Sequence, residues 1–453
     1  MPAIITTNFR IENAVNFIND VANTSNGVYL FIGKSDPWSN SLSVTTDGTP
    51  DTPVDDLVDI NKAWTNMIAM KQITASNVMN LIPRVNWTSG TSYVAWDDAD
   101  SSIYSKSFYI LTDEFKVYKC IVAGSGASTV KPTQTNTNPS SEGDGYIWKY
   151  MFSISTLDAN NFLTNTYVPV KTVVIPAGEN ISDLSSDDQT KYNIQQNSAG
   201  NNGKIYRAVV TNGGSGYSSS PTVTIHGDGT GATAQAVVSG GVITAINVTA
   251  NGSTPYHNAY ITITDSTGLG AAARPVLSPP NGHGTDPVRE LGAFFTAVEV
   301  SLLYADGSGN FIVNNSFRQI GIVKNPYTYG TTTIGSATTY SALKEIQFTS
   351  SSGFTIGDYI TGASSGTIAY IDSYDSVAGV LKYHQNNNTG YGTFTLGETV
   401  NGHTGGTGSI ASSGGLINPQ VQPYSGKMLF LENRAPINRS ASQIENIKLV
   451  IEF

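Results

Sequence analysis

The stretch SEGDGYIWKYMFSIS, residues 141–155, places an acidic glycine turn directly before a run of aromatic residues. The run predicts a β-strand, because successive side chains of a strand point to opposite faces. One face then carries Tyr146, Trp148, Tyr150 and Phe152, and the other carries Ile147, Lys149 and Met151. No further ligands accompany Glu142 and Asp144, so the turn favours a rigid hairpin over a metal-binding or phosphate-binding loop. Whether the four rings pack inside one subunit or across a dimer stays open.

The segments before this strand extend the same pattern. SFYILTD and FKVYKCIV also alternate apolar and polar residues and are separated by Gly, Ser, Pro and Asn clusters, which predicts an antiparallel sheet over residues 93–154. Cys120, the single cysteine of the chain, lies in one of these strands. We therefore expect a small buried apolar residue there rather than a reactive thiol.

Two helices are predicted near the N-terminus. After a capping pair at Thr7 and Asn8, apolar residues recur at helical spacing until residues 23–27, and GVYLFIG then predicts a buried strand ending at Gly33. A second helix is predicted over residues 53–70. Its apolar face is expected to contain Leu57, Ile60, Ala63, Trp64, Met67 and Ile68. The polar residues 185–203 are expected to form a linker.

Two internal repeats follow. VTNGGSGYSSSPTVTI, from Val210, recurs as VTANGSTPYHNAYITI, from Val248, with a period of 38 residues. FTIGDYITG, from Phe354, recurs as FTLGETVNG, from Phe394, with a period of 40 residues. Each pair combines strands with Gly-rich turns. We expect the first pair to form one compact β unit, and the second pair to be two copies of a small barrel-like or sandwich-like β unit.

These patterns predict a mainly β (α+β) fold. We expect a discontinuous β-sandwich core with an N-terminal helical, α+β portion, formed by residues 1–202, 281–329 and 417–453. The first repeat module (residues 203–280) and the second repeat module (residues 330–416) are expected to be insertions into this core. The terminal strand NIKLVIEF completes the core, and its apolar face carries Ile447, Leu449, Ile451 and Phe453.

Composition limits the classes of function. Only 13% of the 453 residues are charged and the formal net charge is −10, so the chain lacks the basic stripe with which proteins neutralise nucleic-acid phosphates. A single cysteine excludes an internal disulfide framework and a multi-cysteine zinc site. The sequence shows no signal peptide and no run of about 18 apolar residues. Neither secretion nor membrane insertion is expected.

The motifs do not indicate a particular chemistry. HGDGTGATA, from His226, has the glycines of a nucleotide-binding turn, but a strand rather than a helix is predicted to follow it. The five histidines show no metal-ligand spacing, and the acidic groups at residues 55–59 and 97–100 do not match a calcium loop. We predict no catalytic, cofactor-binding or metal-binding residues. Paired catalytic carboxylates that meet only in space stay open, because a sequence does not reveal them.

Several strings, taken in order, resemble the baseplate wedge subunit of contractile-tailed bacteriophages, the family member that occurs as a dimer within each wedge. The strings are YLFIGKSDPWSN (29–40), AWTNMIAMKQI (63–73) with LIPRVNW (81–87), VYKCIV (117–122), GDGYIWKYMFSI (143–154), FRQIGIVKNP (317–326) and MLFLENRAPINR (428–439). Each string is ordinary by itself, and their order makes the set specific. The resemblance covers residues 1–200, 287–326 and 418–453.

The resemblance implies a non-enzymatic structural protein without cofactors, located in the tail baseplate of the virion after assembly in the host cytoplasm. It implies a homodimer that docks onto other wedge proteins, and contact with the host surface stays open. The two repeat modules fall where the family is expected to have short connections. We interpret them as surface insertions that enlarge contacts with neighbours. The alternative function is a tail-associated adhesin that binds a host surface or a glycan.

Four residues are candidate interface anchors, because interface centres favour aromatic residues and arginine. The candidates are Trp38, Trp148, Tyr150 and Arg434. In SDPWSN a proline-fixed turn presents the ring of Trp38, and in ENRAP the guanidinium of Arg434 can pair across an interface. The alternative is an internal role, in which Trp38 packs on its own sheet and Arg434 pairs with Glu432 or Asp36.

Overall fold

The computed structural model describes residues 4–39, 41–42, 46–217 and 221–453. Asn40, at the end of one of the resembling strings, and residues 218–220, within the first repeat, lie outside the described residues. The chain forms two compact units. Unit 1 comprises Met1–Val15, Met79–Ala297 and Ile451–Phe453, and unit 2 comprises Asn16–Val78 and Val298–Val450.

Strands outnumber helices in both units. The helices are α1 (Thr7–Ala22), α2 (Leu57–Asn66), α3 (Thr156–Phe162), α4 (Ser186–Ser198) and α5 (Pro287–Glu290). The strands up to the middle of the chain are β1 (Val28–Gly33), β2 (Met67–Gln72), β3 (Val78–Pro83), β4 (Tyr109–Leu111), β5 (Lys116–Val122), β6 (Ser140–Ser141), β7 (Ile147–Ser153), β8 (Tyr167–Val170), β9 (Arg207–Ser215), β10 (Thr222–Gly227), β11 (Thr230–Ser239), β12 (Val242–Thr254), β13 (Ala259–Thr264) and β14 (Leu269–Val276). The later strands are β15 (Phe295–Leu302), β16 (Asn315–Lys324), β17 (Thr339–Ser341), β18 (Lys344–Ser352), β19 (Tyr359–Gly362), β20 (Ile368–Asp375), β21 (Val380–His384), β22 (Thr399–Gly402), β23 (Thr407–Ile410), β24 (Leu416–Ile417), β25 (Lys427–Arg439) and β26 (Glu445–Glu452). The predicted mainly β fold is confirmed, and the β-rich structure fits a sandwich-type core.

The second predicted helix is shorter than the pattern indicated. α2 begins after Asp56, whose carboxylate caps it by accepting a hydrogen bond from the Asp59 N–H at 2.8 Å. The helix ends at Asn66, and residues 67–70, which we predicted as helical, belong to β2. β2 lies between β1 and β17, and a central strand is as apolar on every face as a buried helix. Leu57, predicted on the buried face, is 74% exposed.

The predicted linker at residues 185–203 is largely helical, so that prediction is wrong. Ser185 caps α4 by accepting a hydrogen bond from the Asp188 N–H at 3.2 Å. The buried face of α4 is polar: the Gln195 amide hydrogen-bonds both the N–H and the carbonyl of Val173, at 2.9 and 3.1 Å. A helix held by such bonds has little apolar periodicity, which is why the pattern did not reveal it.

Unit 1 contains the predicted antiparallel sheet. Its strands lie in the order β4, β5, β7, β6, and each neighbouring pair is antiparallel. An aromatic cluster with Tyr93, Tyr118 and Trp148 packs on it, and a larger apolar core contains Phe108 and Met151. Cys120 is fully buried, as expected, and burial raises the pKa of its thiol.

The first repeat module forms three antiparallel pairs, β9 with β14, β10 with β13 and β11 with β12. The two repeats exchange a tyrosine. Tyr217 of the first repeat packs on Gly268 of the second, and Tyr256 of the second packs on Gly229 of the first; an added Cβ would lie 2.1 and 2.5 Å from the respective rings. Each hydroxyl also accepts a backbone N–H bond from the other repeat at 3.2 Å. The glycines of HGDGTGATA therefore make room for an aromatic ring.

The second repeat module contains one closed barrel to which both repeats contribute, rather than the two copies of a small unit that were predicted. The ring runs β21, β20, β19, β22, β23, β18, and β18 pairs again with β21 to close it. The repeated residues Phe354 and Phe394 both lie in the barrel core. β17 falls inside residues 330–416 but pairs with β2 rather than with the barrel. The boundaries of the core and of both modules stay a prediction.

Unit 2 contains a five-stranded sheet in the order β17, β2, β1, β16, β25. Its core includes Tyr29, Phe31, Trp64 and Met70, so α2 packs on this sheet. β25 is an edge strand, and its pairing with β16 is interrupted opposite Arg318 by an irregularity in the register. This interruption positions one of the candidate anchors.

Candidate interface residues

Three rings of the predicted aromatic face of β7 pack in one cluster inside unit 1, whereas Phe152, beyond an irregularity in the pairing with β5, packs in the other core with Met151. Trp148 is fully buried, stacks on Tyr146 at a ring-centroid distance of 5.6 Å, and meets Tyr93 edge-on at 5.6 Å. Tyr150 is buried beside Tyr118, also at 5.6 Å. Such aromatic pairs add about 0.5–1.5 kcal/mol each to the area they bury. The rings thus pack within the subunit and leave almost no surface for a partner, and the anchor role of Trp148 and Tyr150 stays untested.

The turn before β7 is fastened by Asp144. Its carboxylate accepts hydrogen bonds from the Ser128 hydroxyl at 3.0 Å and from the backbone N–H groups of Thr129 and Val130 at 2.9 and 3.1 Å. Burial by itself raises the pKa of Asp144, but these bonds outweigh it and hold the pKa below its usual value. The acidic residue of the opening stretch therefore ties the hairpin to a neighbouring loop. Among the described residues, no group of three or more His, Cys, Asp and Glu side chains is arranged to hold a metal ion.

The opposite face of β7 carries a charge cluster that sequence analysis missed. Lys119 on β5 and Lys149 on β7 are cross-strand partners, and both are fully buried. Lys119 Nζ donates to Glu290 Oε2 at 2.8 Å, whereas Lys149 Nζ donates to the Tyr150 carbonyl at 2.5 Å. Burial lowers the pKa of both lysines, that of Lys149 to about 8. One carboxylate thus compensates two ammonium groups.

The neighbours of this cluster explain how it tolerates burial. Lys119 Nζ lies 3.9 Å from the centre of the Trp96 ring, a cation–π contact. Glu290 also accepts the Gly284 N–H at 2.7 Å, which orients the carboxylate. Burial, with the two lysines, pushes the pKa of His283 well down, so this buried ring is neutral. The sequence did contain a signal for this cluster. It was a lysine at the centre of an otherwise apolar strand, as in VYKCIV and YIWKYMF.

Trp38 and Arg434, predicted as separate anchors, contact each other in unit 2. The Trp38 indole N–H donates to the Arg434 carbonyl at 2.8 Å, where the pairing of β25 is interrupted. The Arg434 side chain is 46% exposed and its Nε donates to Glu432 at 2.8 Å. The indole thereby caps a backbone acceptor of an edge strand, which protects such edges from unwanted pairing. The pairing with Glu432 matches one of the internal roles considered, and both side chains retain accessible surface.

Asp36, the other internal partner considered for Arg434, belongs to a different cluster. His384 Nε2 lies 3.2 Å from Asp36 Oδ1, and His384 Nδ1 lies 2.7 Å from Asp372 Oδ2. Lys34 forms an ion pair with the same Asp36. Burial by itself lowers the pKa of His384, but the two carboxylates raise it to about 9. The ring is therefore a buried imidazolium between two carboxylates, and sequence analysis missed it because its members lie far apart in the chain.

The chain is thus rich in β-strands. Two of its predicted contact residues lie at a sheet edge, and the other two lie in a core. A family model described as Gp8 of bacteriophage T4 matches residues 3–100. Baseplate wedge protein gp8 of Enterobacteria phage T4 is 25% identical over 230 residues, which is 43% of this chain and 66% of that protein. The chain thus spans just under two thirds of that relative's length. The resemblance to a baseplate wedge subunit predicted from the ordered strings is confirmed.

The family match covers part of the candidate set. Trp38 and the strings at residues 63–73 and 81–87 lie inside residues 3–100, whereas Trp148, Tyr150 and Arg434 lie outside them. Within the described residues, no helix is both long and apolar enough to cross a membrane.

Proposed function

We propose that this chain is a structural subunit of the baseplate wedge in a contractile phage tail, located in the virion, and that it acts by protein–protein contacts rather than by catalysis. The observation that carries the proposal is the similarity to baseplate wedge protein gp8 of phage T4. Neither comparison supports the alternative of a host-surface or glycan-binding adhesin.

The composition of the chain supports assembly by burial. Only 13% of the residues are charged while the chain has 23 tyrosines, and interface centres are depleted in charge and enriched in aromatic residues. Trp38 and Arg434 sit together at the edge of the unit 2 sheet. In our proposal, their accessible faces are the anchors of one contact with a neighbouring wedge protein.

The proposal includes a homodimer and the two repeat modules as insertions that enlarge contacts with neighbouring baseplate proteins. Each module has its own apolar core. That independence supports the view that the modules were added to an existing subunit, since a segment with its own core adds surface without rebuilding its host.

The direct test is to measure the mass of the purified chain in solution, alone and mixed with other wedge proteins of the same phage, by light scattering after gel filtration. We expect a dimer alone and a larger complex in at least one mixture. A monomer that binds none of the wedge proteins would overturn the proposal. Arg434→Ala should weaken the complex if the guanidinium is an anchor, whereas Lys448→Ala, on β26, is the matched control for removing a partly exposed cation.

A further inference from the structure

A polar cleft of about 280 Å³ opens beside Trp38 in unit 2. The described residues that line it come from the turn after β1, from the segment before α2 that contains Thr49 and Asp51, from the C-terminal half of α2 and from the turn after β21. Its volume lies just below the range for small-molecule sites, about 300 to 1,000 Å³. The cleft therefore suits a ligand of about one ring rather than an extended chain.

The aromatic wall of the cleft is fixed in place. The indole N–H of Trp38 is already used by the Arg434 carbonyl at 2.8 Å, and the Trp38 backbone N–H donates to Asp47 at 3.2 Å. With its donor occupied, the indole offers a ligand its ring face, and Lys34 Nζ lies 5.5 Å from the centre of that ring. An apolar ring face that packs against C–H groups is a common way for proteins to hold a polyhydroxylated ring.

Another part of the lining is an asparagine run in which two side-chain amides are held by the protein. The Asn386 amide donates to Asp36 Oδ2 at 3.1 Å, and the Asn388 amide donates to the Ser39 carbonyl at 3.1 Å. Between them Asn387 is exposed, and its oxygen accepts the Tyr391 hydroxyl at 2.7 Å. Its NH₂ group has no acceptor among the described residues and remains available to a ligand oxygen.

The two lysines that line the cleft are each paired with a carboxylate. Lys34 forms an ion pair with Asp36, and Lys62 forms one with Asp59 at 3.0 Å. Asp51 adds a carboxylate to the lining. The wall thus has no uncompensated cation to attract phosphate or carboxylate ligands, and it presents both acceptors and donors.

We propose that this cleft binds a neutral saccharide unit, with the sugar ring against Trp38 and its hydroxyl groups on the Asn387 amide and the Asp51 carboxylate. The site differs from the repeat-module turns considered for the adhesin alternative. It shares Trp38 with the proposed wedge contact, so a wedge protein docked on that side chain would compete with the sugar.

The test is titration of the full-length protein with glucose, galactose and N-acetylglucosamine, followed by saturation-transfer NMR and by tryptophan fluorescence. We expect at least one of these sugars to bind with a Kd of about 1 mM, as a single small ring would allow. Trp38→Ala and Asn387→Ala should each weaken binding about tenfold. Trp38→Phe keeps an aromatic face and should retain binding, and Asn258→Ala, in the first repeat module, should leave the Kd unchanged.

Thermal unfolding of each variant separates a lost ligand contact from a lost fold. The proposal is overturned if none of the three sugars binds, or if folded Trp38→Ala binds them as the unchanged protein does. It is also overturned if glucose 6-phosphate binds better than glucose, since the cleft would then select an anion. A cleft that binds no sugar but becomes protected from hydrogen exchange when a wedge protein is added is a protein contact. That outcome overturns the saccharide site and leaves wedge assembly intact.

Discussion

At the scale of single residues, the stability of unit 1 depends on one buried carboxylate. Glu290 is the acidic partner of Lys119, and Lys149 lies directly across the strand pair. Removing one member of a buried ion pair typically costs about 3–5 kcal/mol, because the remaining charge stays out of water. We expect Glu290→Gln to lower the free energy of unfolding of unit 1 by about 3 kcal/mol, measured by urea denaturation monitored by tryptophan fluorescence.

The control for this substitution is a solvent-exposed carboxylate of the same unit. Glu452 pairs with Arg10 at 2.5 Å, but its side chain is 60% exposed. An exposed ion pair contributes about 0–1 kcal/mol, so Glu452→Gln should change stability little. Equal losses in the two variants would contradict the buried-charge interpretation.

The imidazolium of His384 predicts how stability depends on pH. Its pKa in the folded protein is about 9, above the usual value of about 6.5 for an unfolded chain. Its contribution is therefore fully present below pH about 6.5 and is lost as the pH rises through about 9. The difference corresponds to about 3 kcal/mol. We expect calorimetry to show a falling Tm across this window.

Two variants isolate the source of this pH dependence. The groups that face the ring are Asp36 and Asp372, with Lys34 paired to the former. His384→Asn should lower Tm at neutral pH. Above neutral pH, the Tm of this variant should fall less steeply than that of the unchanged protein. His403→Asn, on the barrel, is the histidine control and should keep the slope. An unchanged slope in His384→Asn would assign the titration to another group.

At the scale of elements, the exchanged tyrosines predict which glycines are structural. An added Cβ at Gly229 meets the Tyr256 ring at 2.5 Å, whereas at Gly126 it meets no atom within 4 Å. Overpacking of a filled core costs about 1–3 kcal/mol. We expect Gly229→Ala to lower the unfolding midpoint of the first repeat module, followed by hydrogen exchange, and Gly126→Ala to leave it unchanged. Equal midpoints would show that the ring can move aside.

The sequence predicted elements where one face or one period dominates. β7 was visible because aromatic residues alternate along it, and the repeats were visible because Phe354 and Phe394 recur in the same context. Residues 67–70 were assigned to a helix because a central strand is apolar on both faces, and α4 was missed because Gln195, not an apolar stripe, docks it. In both cases tertiary contacts determined which secondary structure forms, because the local sequence pattern does not distinguish the alternatives.

The sequence indicated single residues of the candidate site but not the contacts between them. Proline before Trp38 indicated a presented ring, but the hydrogen bond to the Arg434 carbonyl joins positions 396 residues apart. Glu290 and His384 were invisible for the same reason, since each completes a cluster with strands from distant parts of the chain. Spacing along a chain reveals ligand sets on one element, and these clusters draw on several elements.

At the scale of the whole molecule, the modules can be removed at their bases. Arg207 and Val276 are antiparallel register partners, so a short glycine-rich turn can join them in place of residues 208–275. Glu345 and Ile417 are likewise partners, which permits a similar replacement of residues 346–416. We expect each shortened chain to be folded and to form the dimer that we propose for the full chain, measured by circular dichroism and light scattering. Aggregation of either chain would place that module in the core.

The two deletions should differ in their cost. Loss of the barrel also removes His384 and Asp372 from around Asp36 and leaves Lys34 as its buried partner. Deletion of the first repeat module removes Arg274, which forms an ion pair with Asp97. The Asp97 carboxylate is partly exposed. The barrel deletion should therefore lower Tm more, and Asp36→Asn in that background should lower it further, because Lys34 then loses its remaining carboxylate.

The pairing of β9 with β14 has a consequence for synthesis on the ribosome. β9, the first strand of the first repeat module, cannot pair until β14, the last strand of the module, has been synthesised. Tyr217 likewise packs on a glycine of the second repeat. Pairings between distant segments form slowly, and exposed strands invite association while they wait. Nascent chains halted before residue 268 should therefore recruit holding chaperones, and chains halted beyond residue 276 should release them.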